Sequence, residues 1–424
     1  MFDGGLSVKI LICGINWSPE LVGIAKYSHE MSTWLQTEGH EVRAVTAVPY
    51  YPEWKIRDGY SRWWYSRDEV DGVRMIRCPL WVPSKPTGLT RLLHLLSFAI
   101  SSLPVLLGYA FWRPDVILTI EPPLFCAPSV WLTALACRAK TWLHIQDFEL
   151  DAAFQLGILK SKLAKSFATR CELLLMRHFD RVSTISPQMI KLLHSKGVPV
   201  SRTVLFENWV DCQAIRPLES PSTYRNELNV SVGQKVALYS GNLGFKQGLE
   251  ILVDAARLLS HRADIRFVIC GTGASHQFLR DRAAGLCNIT WLPLQPIERL
   301  NELLNLADVH LLPQKEDAAD LVLPSKMTGM LASGRAIVAT ARPGTGVYDV
   351  VQSAGLATPP GDVVAFANAV ERLIDSDDLR FSLGQGARAY AEAHLDTHSI
   401  LKRLETNMSS LLSGKIILSE TSPS

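Results

Sequence analysis

Short runs of apolar and β-branched residues alternate with longer amphipathic stretches along most of the chain. Each short run predicts a buried strand, and each amphipathic stretch predicts a helix that packs on a sheet. Strands that alternate with helices are typical of parallel sheets with crossover connections. The predicted strands are residues 8–13, 41–46, 115–120, 141–145, 181–185, 235–239, 266–269, 289–292, 308–312 and 336–339. The clearest predicted helices are residues 24–38, 249–259, 297–305 and 363–375, and a long helical stretch, residues 379–412, closes the chain.

The strand–helix pattern stops and restarts near the middle of the chain. Pro217 and Pro221 lie close together in residues 211–221, which we interpret as a linker. The length of 424 residues also exceeds that of one ordinary domain. We therefore expect an α/β protein with two Rossmann-like domains, whose parallel sheets face each other across a ligand-binding cleft. The expected segments are residues 1–212, residues 213–395, and residues 396–424 as a helix and tail that pack back on the first domain.

Composition argues against several classes of function. The net charge of +2 is much weaker than that of a typical nucleic-acid-binding protein, so no nucleic-acid partner is expected. The eight cysteines form no CxxC pair and have no metal-ligand spacing, which favours buried thiols in the cytoplasm. The first apolar run, residues 10–15, is short and has no cleavage site, so we expect a strand there and no secretory signal.

One apolar segment, residues 92–112, has no formally charged side chain and is long enough to span a bilayer. It also contains His94, Pro104 and Gly108, which favour a buried or half-buried helix hairpin of the first domain. A third alternative is a helix that lies in the membrane interface. The stretch of residues 159–179 carries lysines and arginines among leucines, and this pattern suits either a solvated face or contact with anionic lipid.

Three loops after predicted strands of the second half are candidates for binding a diphosphate. Glycine lets a backbone approach a ligand closely, and the amides of such turns and of helix N-termini favour anions. The order Gly-Lys-Ser/Thr is missing, which argues against a P-loop. The candidate donor-binding residues are Gly241, Asn242 and Lys246 in the first loop, Gly271 and Gly273 in the second, and Pro324, Ser325 and Lys326 in the third.

The first half offers fewer polar candidates. Gly14 and Asn16 follow the first strand and Gly23 precedes the first helix, which suits binding of an acceptor substrate. Asp147 ends the strand of residues 141–145, where a carboxylate can accept a proton or bind a sugar hydroxyl. His144 lies inside the apolar run and is interpreted as a core histidine.

The order of these segments resembles glycosyltransferase family 4, in particular bacterial enzymes of the colanic acid and exopolysaccharide type. The resemblance covers nearly the whole chain, and it is specific through the number and order of its pieces. These pieces are Pro19-Glu20 with Gly23, Gly39-His40-Glu41-Val42, Pro114-Asp115-Val116-Ile117, Thr184-Ile185-Ser186, Asn208-Trp209-Val210-Asp211, Ser240-Gly241-Asn242-Leu243-Gly244, Pro324-Ser325-Lys326 and Leu331-Ala332-Ser333-Gly334.

The resemblance implies the GT-B fold, retention of anomeric configuration, no cofactor and no essential metal. It also implies that backbone amides and cationic side chains stabilise the leaving diphosphate. The family has an arginine and a lysine where this chain has Asn242 and Gln247, and Lys246 is expected to take over part of their role.

The family also has two glutamates eight positions apart, which correspond here to Leu321 and Gly329. Both carboxylates are therefore absent, and one of them normally holds the donor ribose. Asp320 lies one position before the first and is expected to replace it in part, which makes it a catalytic candidate beside Asp147.

The resemblance, taken with the loops at the strand ends, implies a glycosyltransferase that moves a sugar, with GDP-fucose as one candidate donor, to a lipid-linked saccharide. The enzyme is expected to be cytoplasmic and peripheral on the inner face of the membrane. A nucleotide-sugar epimerase of the same fold is one alternative, and it would need no lipid acceptor. A non-catalytic scaffold is another, which the missing carboxylates favour. A dinucleotide dehydrogenase is disfavoured, because the chain shows no convincing GxGxxG that opens a helix.

Overall fold

The computed structural model describes residues 7–20, 23–84, 87–148, 162–315 and 323–414. These residues form two compact units, one of Met1–Glu207 with Leu401–Ser424 and the other of Asn208–Ile400. Each unit is an α/β structure built on its own sheet, as the alternating pattern predicts.

The sheet of the first unit has the strand order β3-β4-β2-β1-β5-β6-β7-β8. Neighbouring strands are parallel except β3, which pairs antiparallel with β4. The strands are β1 (Lys9–Cys13), β2 (Glu41–Ala47), β3 (Ser66–Val70), β4 (Val73–Cys78), β5 (Val116–Glu121), β6 (Lys140–Ile145), β7 (Arg181–Thr184) and β8 (Thr203–Leu205).

The hairpin of β3 and β4 was not predicted from the sequence. Strand β3 lies at the edge of the sheet and is rich in charged residues, so it has no apolar run. The signal that was present is the dipeptide Asp71-Gly72 between the strands, and both residues have positive φ. Such Asp-Gly pairs are typical of two-residue hairpin turns.

Helices cover both faces of this sheet: α1 (Ile24–Thr37), α2 (Gly88–Tyr109), α3 (Ala127–Cys137), α4 (Lys162–Arg177) and α5 (Pro187–Ser195). The predicted helix hairpin in residues 92–112 is wrong, because α2 continues as one helix through Pro104. Its inner face buries residues such as His94, Phe98 and Leu106, while its outer face remains exposed. Among the described residues, α2 alone is long and apolar enough to span a membrane. Buried helices of soluble proteins can have the same length and composition.

The sheet of the second unit is parallel throughout, in the order β11-β10-β9-β12-β13-β14. Its strands are β9 (Lys235–Ser240), β10 (Ile265–Cys270), β11 (Ile289–Leu292), β12 (Val309–Leu312), β13 (Ala336–Thr340) and β14 (Gly355–Thr358). Its helices are α6 (Tyr224–Glu227), α7 (Glu250–Leu258), α8 (His276–Arg282), α9 (Leu300–Leu306), α10 (Ser325–Ala332), α11 (Gly346–Ala354), α12 (Val363–Asp375) and α13 (Asp377–Tyr390). The helix α14 (Thr397–Ser413) follows a π-helical turn at Ala391–Leu395.

The predicted long closing helix is interrupted at Asp396, whose extended backbone forms a bridge with Val210. The segment predicted as a linker, residues 211–221, lies inside the second unit. Arg388 holds it there by donating hydrogen bonds of 2.8 Å to the carbonyls of Cys212 and Ile215. The prolines lie in a segment without helix or strand, but they did not reveal this arginine anchor or the turn at residues 212–215.

Candidate functional site

Three adjacent strands of the second unit, β10, β9 and β12, bring the predicted donor loops to one edge of the sheet. Parallel strands end at the same edge, so the turns that follow them are neighbours. The Gly241 and Gly271 turns follow β9 and β10 directly, and α10 begins at Ser325 after the segment that follows β12. Of that segment, residues 316–322 lie outside the described residues, and Asp320 with them.

The two glycine turns contact each other through their backbones. The amide of Gly241 donates to the carbonyl of Cys270 at 3.0 Å, and that of Leu243 donates to the carbonyl of Thr272 at 2.8 Å. A Cβ atom on Gly271 would lie 1.9 Å from the Gly241 carbonyl oxygen. A Cβ atom on Gly273 would lie 2.4 Å from the Leu243 carbonyl oxygen. Glycine is therefore required at both positions for the two turns to pack together.

The side chain of Lys326 reaches the first of these turns from α10. Its ammonium donates a hydrogen bond of 2.9 Å to the hydroxyl of Tyr239, and it lies 4.4 Å from the centre of that ring. It also lies 3.7 Å from the position of a Cβ on Gly241. The Tyr239 hydroxyl in turn donates to the carbonyl of Asn242 at 2.8 Å. A cation thus lies beside a glycine turn, three of whose amides already donate to protein oxygens, so what this position offers a phosphate group is chiefly the Lys326 ammonium.

Among the described residues, Lys326 forms no salt bridge. Burial lowers its pKa from 10.5 to about 8, because the charged form has lost part of its hydration. Burial also raises the pKa of Tyr239, so its hydroxyl remains protonated and available as a hydrogen-bond partner. An anion bound beside Lys326 would raise its pKa again, because the negative charge favours the protonated form.

Tyr239 and Gln247 contribute to the site in ways that the sequence interpretation missed. Gln247 lies where the family resemblance predicts a lysine, and its side-chain oxygen accepts the amide hydrogen of Gly244 at 3.1 Å. It therefore holds the shape of the turn and carries no charge. A tyrosine just before a glycine turn, at the end of a buried strand, was the available signal for Tyr239.

The remaining donor candidates occupy the same edge of the sheet. Pro324 is the N-cap of α10, and Ser325 is exposed in its first turn, where helix amides have no intrahelical partner. The backbone of Lys246 lies in a 3-10 turn, Phe245–Gln247, between Gly241 and α7. The assignment of these residues to donor binding stays a prediction.

The polar candidates of the first unit lie around the carboxyl ends of β1 and β2. Asn16 donates to the carboxylate of Glu20 at 2.9 Å and to the hydroxyl of Tyr50 at 3.2 Å. Glu20 is buried and also accepts two backbone amides at 2.8 Å, but burial still raises its pKa. Gly14 is buried, with its amide bonded to the carbonyl of Val45, and Gly23 is the exposed N-cap of α1. Sequence reasoning named Asn16 but not Glu20 and Tyr50 as its partners.

Asp147 follows β6 as an exposed residue, and its catalytic role stays a prediction. The interpretation of His144 as a core residue is confirmed. Its ring nitrogens contact Ser183 Oγ at 2.9 Å and Gln146 Nε2 at 2.9 Å. Burial lowers the pKa of His144 to about 3, so the ring is neutral. Within the described ranges, no three His, Cys, Asp or Glu side chains are grouped to hold a metal ion.

Comparison with protein families covers both units. Residues 22–209 match the family described as a glycosyl transferase 4-like domain, and residues 234–376 match glycosyl transferases group 1. The putative colanic acid biosynthesis glycosyl transferase WcaI of Escherichia coli (strain K12) is 42% identical over 407 residues. This alignment covers 93% of the present chain and 98% of WcaI.

Solved structures with the same fold have much lower sequence identity. Sucrose-phosphate synthase from Thermosynechococcus elongatus superimposes with a TM-score of 0.73 at 17% identity, covering 96% of this chain and 99% of that protein. HepE from Anabaena, solved in complex with UDP and glucose, gives a TM-score of 0.67 at 15% identity, covering 95% and 100%. At such identities the similarity shows the fold and not the substrate.

Proposed function

Since the chain belongs to the glycosyltransferases of the GT-B fold that combine a 4-like domain with a group 1 domain, we propose that it transfers a sugar from a nucleotide-diphosphate donor to a lipid-linked saccharide. The product is part of a colanic acid-like exopolysaccharide, a proposal that the similarity to WcaI supports. The single observation that carries the donor site is the contact of Lys326 with Tyr239 beside the paired turns of Gly241 and Gly271.

The proposed chemistry separates the sugar from its diphosphate. The bond between the anomeric carbon and the diphosphate oxygen breaks, and a bond to the acceptor oxygen forms on the same face of the sugar. The Lys326 ammonium and the first-turn amides of α10 stabilise the negative charge that develops on the diphosphate. The acceptor hydroxyl gives up its proton, for which Asp147 is the proposed base. The proposed mechanism stabilises the leaving diphosphate by preorganised positive charge and uses no metal ion.

A thermal-shift screen tests donor binding and identifies the nucleotide. GDP and GDP-fucose are the first candidates, and UDP with its sugars is the second, because HepE binds UDP. A ligand at a concentration of about 100 times its Kd stabilises a protein by about 2.7 kcal/mol, so the melting temperature should rise by roughly 5 °C. If no nucleoside diphosphate raises it, the proposed donor site is wrong.

Donor affinity is expected to fall as the pH rises above the pKa of Lys326. Burial sets that pKa at about 8, and a bound diphosphate raises it by favouring the charged form. Binding above pH 8 therefore takes up a proton, and affinity falls by up to about tenfold per pH unit.

The same pKa affects the stability of the protein without ligand. The Lys326 side chain binds more protons in the unfolded chain than in the folded one between pH 8 and 10.5, so the protein gains stability as the pH rises through that window.

Calorimetric titration of the nucleoside diphosphate across this range measures both the affinity and the proton uptake. The Lys326→Arg variant is the control, because arginine stays charged and should give a flat profile above pH 8. A flat profile in the wild-type protein would show that the lysine charge does not contribute to binding.

The proposed acceptor and membrane location are supported by α2. Its outer face exposes an unbroken row of aliphatic side chains at helical spacing, namely Leu89, Leu93, Leu96, Ile100, Leu103 and Leu107. A helix that buries one face against its own sheet and exposes leucines on the other fits an interfacial position better than a span. We propose that this face brings the enzyme to the cytoplasmic surface of the membrane that carries its acceptor.

A further inference from the structure

A cationic cavity of about 450 Å³ lies at the amino ends of β6, β7 and β8 in the first unit. Lys140 and Arg181 are the first residues of β6 and β7, and Arg202 immediately precedes β8. Arg177, the last residue of α4, completes the set. In parallel sheets the substrates bind at the carboxyl ends of the strands, so this cavity lies at the opposite edge from Asn16 and Asp147.

The cations of this cavity are only partly neutralised. Asp180 is the acidic residue in its lining, and one of its carboxylate oxygens already accepts from the amide and hydroxyl of Thr141. Lys140 lies 3.7 Å from the other oxygen. Among the residues that the structure describes, the guanidinium groups of the three arginines form no salt bridge, and Arg181 and Arg202 donate instead to main-chain carbonyls. A guanidinium has five N–H donors, so several remain for a phosphate.

An apolar groove of about 180 Å³ adjoins the cationic cavity. The two share His178 and Phe179, and the groove continues between α3 and α4 past Trp131 and Leu174. Trp131 packs on the His178 ring with a centroid distance of 4.8 Å, yet it is still 42% exposed. Helix α3 packs against α2, which carries the exposed leucine face described above.

We propose that the cavity and the groove together bind one anionic membrane phospholipid, with its phosphate among the arginines and an acyl chain along Trp131. The charge of the cavity selects an anionic headgroup, and a chain of the same molecule reaches the groove by passing the wall of His178 and Phe179 that the two share. The inference deepens the proposed function, because it rests on an enzyme that works at the membrane surface. The site would hold the enzyme on the membrane while leaving open the carboxyl edge of the first sheet, where Asn16 and Asp147 lie.

Vesicle co-sedimentation of the full chain tests the charge requirement. Vesicles of phosphatidylcholine with a minority of phosphatidylglycerol should bind the wild-type protein far better than pure phosphatidylcholine. The Arg181→Gln/Arg202→Gln variant should lose about 30-fold in affinity, given the usual contribution of each cation near an anionic surface. The matched control, Arg216→Gln/Arg372→Gln, removes the same charge from exposed positions of the second unit and should change affinity by less than about threefold. Equal losses in both variants would overturn the proposal.

Soluble ligands separate a lipid from free phosphate. Dihexanoyl phosphatidylglycerol should bind at least about tenfold more tightly than glycerophosphate, because its chains bury apolar surface. The accompanying change in tryptophan fluorescence should be absent in the Trp131→Phe variant. Equal affinity for the lipid, glycerophosphate and inorganic phosphate would replace the proposal with a free-phosphate site.

The donor thermal shift, measured on the same variants, keeps this inference distinct from the proposed function. Both arginine variants should respond to the nucleotide like the wild type. A normal nucleotide response without selective lipid binding would overturn the lipid site alone. Selective lipid binding without any nucleotide response would overturn the proposed transfer and leave the lipid site standing.

Discussion

Replacing Lys326 with methionine is expected to weaken nucleoside diphosphate binding by roughly 10- to 150-fold, which corresponds to about 1.5–3 kcal/mol for a hydrogen bond to a charged group. The first turn carries Asn242 and Gln247 where the family resemblance implies cations, and Lys326 is the cation that the described structure places beside Gly241. Methionine has a similar length and needs no hydration. The variant should therefore fold at least as stably as the wild type, because a half-buried charge has been removed.

Calorimetry with the nucleotide identified by the thermal-shift screen measures this loss. Lys235→Met is the matched control, because Lys235 lies at the amino end of β9 and pairs with Asp377 at 3.1 Å. It removes the same charge from the opposite edge of the same sheet and should leave donor binding unchanged. Wild-type affinity in a folded Lys326→Met protein would show that the diphosphate binds elsewhere.

Replacing Gly271 with alanine is expected to destabilise the second unit by roughly 3 kcal/mol or more and to abolish donor binding. The new Cβ would lie 1.9 Å from the Gly241 carbonyl oxygen, and the φ of +145° disfavours any side chain. The obstacle is backbone of the neighbouring turn, which cannot rotate away as a side chain can. The Gly241 and Gly271 turns must therefore separate, and Gly241 moves relative to the Lys326 ammonium that we assign to the diphosphate.

Gly285→Ala separates the effect of the clash from that of the backbone angle. Gly285 also has a positive φ, of +82°, but no atom lies within 4 Å of the position that its Cβ would take. That variant should cost only about 1 kcal/mol and retain donor binding. Scanning calorimetry and the nucleotide thermal shift give the two readouts. Equal melting temperatures and equal binding for the two variants would mean that the turns are not held in contact.

Local sequence pattern predicted the strands that are buried on both faces. The run of β10 is continuous because helices cover both sides of a parallel sheet, and its predicted bounds differ from the observed ones by one residue at each end. A search for continuous apolar runs does not find strands at the edge of a sheet, and the charged strand β3 was missed for this reason. Local pattern also fails in α2, where composition suggested a hairpin and one helix formed.

The glycine turns were recognisable as candidates because glycine immediately after a strand has a local meaning. The contacts of these turns could not be recognised in the sequence, because the hydrogen bond between Lys326 and Tyr239 joins residues 87 positions apart. The cationic cavity likewise combines Lys140, Arg177 and Arg202, each of which looks like an ordinary surface cation in the sequence.

Residue type and local spacing were enough to predict the two-unit α/β plan and the positions of the glycine turns, because burial and backbone freedom depend on them. Which turns are neighbours and which cations share a cavity followed only from the fold. Strand order sets those distances, and in the second sheet it places β9 directly beside β12, although β10 and β11 come between them along the chain. Residues that are adjacent in space therefore come from segments whose local patterns carry no information about each other.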